Sequence, residues 1–195
     1  MAPPEAADDV PWLAPELPLP PYSYVSGQFP HPFSHPEGHR HGAPAEPLTP
    51  PEPARWHECR PYLHGLDLFN RGYYWEAHEI WEGLWHACGR AGPTADFLKG
   101  LIKLAAAGVK VREGWPEGVR SHARRAGSLF RQLARQRGAE GGRFMGLDLA
   151  ELLAFAEALA ERPEAFRGAR GKPVEVIFPF VLTPAPLGER GASAP

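Results

Sequence analysis

The chain has 195 residues, a formal charge of −2 and two cysteines. That length suits one domain with tails, the charge gives no general attraction to nucleic acid or anionic membrane, and two thiols are too few for a disulfide framework. The opening MAPPEAADDVP lacks the basic and apolar regions of a signal peptide, and no run approaches the roughly 20 apolar residues that span a bilayer, so a water-soluble cytoplasmic protein is expected.

Residues 1–55 read as an arm. Fifteen of the 24 prolines precede Ala54, and proline has no N–H to give to a helix interior or a central strand. The first twenty or so residues fit a disordered or polyproline-type lead. Residues 20–42 differ, because Tyr22, Tyr24, Val25, Phe29 and Phe33 are too apolar to stay in water. This piece is predicted to lie extended across the folded domain. His31, His35, His39 and His41 resemble a loose metal-binding tract, although composition favours an exposed polar tail.

Residues 56–165 read as helical, in an all-α bundle of about five helices built from antiparallel hairpins. Pro61 opens and Gly72 closes a first helix, Pro61–Arg71. The second runs Tyr73–Cys88 and stops at Gly89. Thr94 precedes a third, Ala95–Glu113, whose lysines Lys99, Lys103 and Lys110 share one narrow stripe. That stripe makes it the central helix, and Gly100 and Gly108 on its apolar side allow close helix approach. A fourth helix starts at Gly114-Trp115-Pro116 and runs to Arg137. It is basic, and pairing with acids elsewhere is favoured over phosphate binding. A loop with Gly138, Gly141 and Gly142 leads to a fifth helix, Leu149–Glu161. Residues 166–195 form a tail in which Val174, Val176, Phe178 and Phe180 alternate; Pro179 argues against a central strand there.

The second helix, YYWEAHEIWEGLWHAC, carries the chemistry. Tyr74, Ala77, Trp81, Leu84, Trp85 and Cys88 fall on one stripe by the 100° step. Beside it runs a polar strip of His78, Glu82, Trp75, His86 and Glu79. Glu76 lies further round and is predicted to be solvated; Ile80 lies beyond it, facing another element such as the arm. His78 and Glu82, four apart, can serve as an acid–base pair against aromatic walls, where pKa values are displaced towards neutrality. They also match the ligand spacing of a metal-binding helix, repeated by Glu82 and His86, so a divalent metal at His78, Glu82 and His86 is a second reading. A third makes them structural, satisfying backbone groups or arginines.

In the acid–base reading His78, Glu79 and Glu82 are the catalytic candidates. Asn70, Trp75, Trp85, His122 and Arg112 are the ligand-contact candidates. Trp75 and Trp85 are walls and Asn70 a polar contact from the preceding helix. His122 faces His78 across the hairpins, and Arg112 is placed to pair with Glu82. The arm, through His31 or His39, is expected to close over the strip.

GLDLFNRGYYWEAHEIWEGLW followed by DFLKGLIKLAAAGVKVREG resembles a bacterial and archaeal family known as domain of unknown function 309. Asn70, Gly72, Tyr74, Glu76, Ala77, His78, Glu79, Glu82, Trp85, Phe97, Gly100, Ile102 and Ala105 carry the pattern, and Trp75 and Trp81 depart from it. The resemblance spans about residues 60–135, a long ordered pattern. It implies an all-helical fold and no particular reaction. Two functions stand: a His/Glu pocket for a small molecule or divalent metal, with acid–base or hydrolytic chemistry, and a non-catalytic helical module that holds a protein partner or a second copy of itself.

Overall fold

A computed structural model describes residues 10–44, 47–138 and 142–185. The lead before Val10, Gly141 of the predicted glycine loop and the end of the tail after Ala185 lie outside the described residues. The fold is all-α: α1 (Arg60–Asn70), α2 (Tyr74–Ala87), α3 (Pro93–Arg112), α4 (Pro116–Arg137) and α5 (Leu149–Glu161), with 3-10 turns at Pro53–Glu58 and Pro163–Ala165. Proline stands in the first turn of α1, α3 and α4, where its missing N–H leaves nothing unpaired. Asp148 caps α5, its Oδ1 accepting from the N–H of Ala150 at 2.8 Å and of Glu151 at 3.2 Å.

Helix α3 is central, packing on α2 and α4, while α5 packs on α4 and α1 on α2. Its two glycines explain the closeness. A methyl group on Gly100 would stand 2.3 Å from the Phe130 ring, and one on Gly108 would stand 2.6 Å from the Tyr74 ring. No Cβ contact of that length is tolerated between packed side chains. The core joins Trp81, Tyr62, Tyr74, Phe69, Phe97 and Phe130, all nearly free of solvent contact.

One element was not expected. Arg143–Phe144 and Leu147–Asp148 pair antiparallel as a two-stranded hairpin, too short to show a two-residue period. The Tyr62 hydroxyl donates to the carbonyl of Met145, in that turn, at 2.8 Å. Among the described residues, the tail from Phe166 to Ala185 takes an irregular path without strand pairing. Phe178 inserts among Phe69, Tyr74, Phe155 and Phe166, and Phe180 stacks on Phe155 with ring centroids 4.4 Å apart. The Tyr74 hydroxyl accepts from the N–H of Ile177 at 3.0 Å. No helix among the described residues is long and apolar enough to cross a membrane.

Candidate functional site

Helix α1 supplies polar groups that hold the two ends of the chain. Asp67, with no solvent exposure, accepts from the N–H of Leu13 at 3.1 Å and of Ala14 at 2.7 Å. It also pairs with Arg71 at 3.2 Å. Arg71 donates on to the carbonyl of Val10 at 2.7 Å and lies 3.6 Å from the Trp12 ring centroid. One turn on, Asn70 clasps the tail: its amide nitrogen donates to the Leu182 carbonyl at 3.0 Å and its oxygen accepts the Leu182 N–H at 2.8 Å. Asn70, expected as a polar contact for a ligand, is engaged here as a strap for the tail. Arg112 also differs from its predicted role. Its guanidinium donates to the Lys172 and Pro173 carbonyls instead of pairing with Glu82, because it ends α3 beside the tail.

The arm crosses α2 on the side of Trp75 and Glu76. Tyr24, His31 and Phe33 pack their rings on Trp75. The Tyr24 N–H donates to Oε1 of Glu76 at 2.9 Å, and Nε2 of His39 stands 3.5 Å from the same oxygen. Glu76 is buried, which corrects the expectation that it is solvated. The wheel placed it on the outer side of α2 correctly, but the arm occupies that side. Ile80 lines the space between α2 and the arm. The other arm histidines build turns. His31 Nδ1 accepts from the N–H of Phe33 and Ser34, His35 Nδ1 accepts from that of Glu37, and His41 bonds to the Phe33 carbonyl. These bonds hold the arm in turns rather than as a free tail.

On the open side of α2, His78, Glu79 and Glu82 come together. Each offers a ligand atom, and the three atoms lie within 4.8 Å of one another; no other such trio of His, Cys, Asp or Glu occurs among the described residues. His78 Nδ1 stands 3.3 Å from Oε1 of Glu79, and the two side chains are 23% and 32% exposed, so solvent reaches them. Successive positions on a helix point apart by about 100°, yet these two side chains bend towards each other. His86, predicted as a third ligand, is outside this group. It is exposed and accepts at Nδ1 from Nε of Arg90 at 3.0 Å.

Helices α3 and α4 complete the surroundings. Burial first, and then Lys103, Lys110 and His78, push the His122 pKa down to about 4. Its imidazole is therefore neutral at neutral pH, with a lone pair available, and it sits within electrostatic reach of His78. Lys99, whose pKa is lowered by burial and then by Lys103, also feels Glu82. Its ammonium lies 3.5 Å from the Trp85 ring centroid, so Trp85 is a seat for Lys99 as much as a wall. Two of the basic residues of α4 pair with acids: Arg120 with Glu117 and Glu164, and Arg131 with Glu157.

Two contributors escaped the sequence reading. Asp67 and His64 sit in a helix read only for its apolar face, and nothing local distinguishes them. Glu76 did carry a signal, since it belongs to the EAHE motif. Comparison with known families agrees with that motif: residues 62–122 match the family model described as Domain of unknown function (DUF309). No curated protein matches the chain.

Proposed function

We propose that this chain, with its DUF309 segment at residues 62–122, binds a divalent transition-metal ion through His78, Glu79 and Glu82. The observation that carries this is the convergence of one imidazole and two carboxylates within 4.8 Å. Bonds of about 2.0–2.2 Å to nitrogen and oxygen place neighbouring ligand atoms roughly 3–3.5 Å apart, a contraction within reach of side-chain rotation. A mixed nitrogen–oxygen set suits zinc, manganese or iron better than calcium, which prefers oxygen alone. His122, from α4, feels His78 electrostatically but lies outside the converging trio.

Such an ion would supply Lewis acidity and a bound water of lowered pKa, the basis of hydrolytic chemistry. The residues themselves have matching work. Glu79 stands beside Nδ1 of His78 at 3.3 Å, so the two would share an ion through that nitrogen and a carboxylate oxygen. Lys99 offsets the negative charge of Glu82 and would favour a substrate with an anionic group.

The test is calorimetric titration of the full chain with Zn²⁺ and Mn²⁺. Wild type should bind about one ion, His78→Ala and Glu82→Gln should bind at least about tenfold more weakly, and His86→Ala should bind as wild type does. Equal affinity in wild type and His78→Ala would remove the site. The interaction-module reading has less to rest on. The exposed aromatics Trp12, Phe33 and Trp115 each lie beneath a cation, from Arg71, Arg40 and Lys110 respectively, so their faces are already engaged.

A further inference from the structure

On the opposite side of α2 the arm does not seal against the bundle. It roofs a chamber of about 250 Å³, with Pro18–Pro21, Phe33, His39 and Arg40 above and His64, Trp75 and Glu76 among the residues below. At about 30 Å³ per water this volume equals roughly eight water molecules. It falls just under the range of about 300–1,000 Å³ usual for drug-sized ligands.

Three polar atoms of its lining are buried without a hydrogen-bond partner: Oε2 of Glu76, Nε2 of His39 and Nδ1 of His64. The side chains of Glu76 and His39 are 6% and 8% exposed, and His64 is also buried. A buried carboxylate oxygen left unpaired costs several kcal/mol by order of magnitude, so unpartnered atoms on three residues that line one cavity call for an occupant. The nearest cationic centres do not serve. Arg112 feels the charge of Glu76, but its terminal nitrogens donate to tail carbonyls and its buried Nε makes no hydrogen bond; Arg40 is exposed and turned over the Phe33 ring.

The geometry points to a binding site for a small organic ammonium compound in this chamber, an amine with a short apolar body. The ammonium would donate to Oε2 of Glu76 and to a ring nitrogen of His39 or His64. Burial lowers the His64 pKa, so that ring is neutral and able to accept. Trp75 supplies an aromatic ring beside the cation, and the prolines and Ile80 line the apolar body. A metal ion fits less well, because Glu76, His39 and His64 do not bring ligand atoms together as His78, Glu79 and Glu82 do. The site is distinct from the metal site, although Glu79 borders both.

The probe is n-butylammonium chloride, titrated into the full chain and followed by tryptophan fluorescence and ligand-observed NMR, with 1-pentanol as the neutral match. Wild type should bind butylammonium saturably and pentanol at least tenfold more weakly. Glu76→Gln should lose at least tenfold in butylammonium affinity. Ile80→Phe, which fills the chamber without touching its polar groups, should abolish binding while keeping the wild-type Tm and zinc affinity. Any one of three results overturns the proposal: no saturable binding to wild type, as for a chamber holding water only; equal binding of pentanol; or undiminished binding to folded Ile80→Phe. Zinc binding by His78 and amine binding by Glu76 fail independently, since each titration has a variant that leaves the other site intact.

Discussion

Asp67 and Glu76 are both buried carboxylates, and both accept backbone N–H groups from the N-terminal arm. They differ in how completely they are satisfied. Asp67 takes two arm amides and the Arg71 guanidinium. Glu76 takes one amide, at Tyr24, and leaves Oε2 without a partner. Burial alone therefore does not separate a strut from a site. A strut has its hydrogen-bonding capacity filled by the chain itself, whereas a site keeps some in reserve.

The sharpest way to break this comparison is Asp67→Asn. Removing one partner of a buried ion pair costs about 3–5 kcal/mol, so urea unfolding should show a loss of that size, and limited proteolysis should cut the arm faster. A loss below about 1 kcal/mol would mean that Asp67 is no strut. Next comes Asn70→Ala, which strands the Leu182 N–H and carbonyl. It should cost about 1–3 kcal/mol and raise amide exchange around Leu182, while the arm stays protected.

The open side of α2 should respond to acid. The folded pKa of His122, about 4, lies below its ordinary 6.5. The unfolded chain therefore binds the proton more readily between those values. The stabilisation is complete above about pH 6.5 and is lost as pH falls towards 4. Thermal melts of His122→Gln should show a flatter profile across that window, and an unchanged slope would remove His122 from the account. The smallest expected effect is that of Glu76→Gln. With one oxygen already unpaired and the charge only loosely offset by His39, its cost should be about 1 kcal/mol or less. A loss matching that of Asp67→Asn would erase the distinction between the two acids.

The five helices were legible because their signals are local: proline in the first turn, glycine after the last, and a 3.6-residue apolar period in between. The closeness of α3 to its neighbours could be read from Gly100 and Gly108, which a larger residue would force apart. The pairing of His78 with Glu79 was half legible, since spacing puts both on one strip while their actual approach depends on side-chain torsion. Glu76 shows where local reading stops. Its outward direction follows from helix geometry, but its burial comes from Tyr24 and His39, about 50 and 40 residues earlier, and no period on α2 encodes what the arm does. The same holds for Asn70, whose partner Leu182 is over a hundred residues away.

Helix α1 is buried at nine consecutive positions, Tyr62 to Asn70, more than one amphipathic face can account for. The bundle covers one side. The rest is covered by Leu13 and Ala14 at Asp67 and by Leu182 at Asn70, anchor points about 4.5 Å apart along the helix axis. The segments around Leu13 and Leu182 thus close over the same short rod like the two flaps of an envelope. A fragment cut to residues 62–122 would open both flaps, leaving Asp67 and Asn70 to water and stripping Phe178 from the aromatic cluster. In this chain the stretch that matches the family model, residues 62–122, is smaller than the unit that packs together, and a shortened protein meant to be stable needs the wrapping segments on both sides of it.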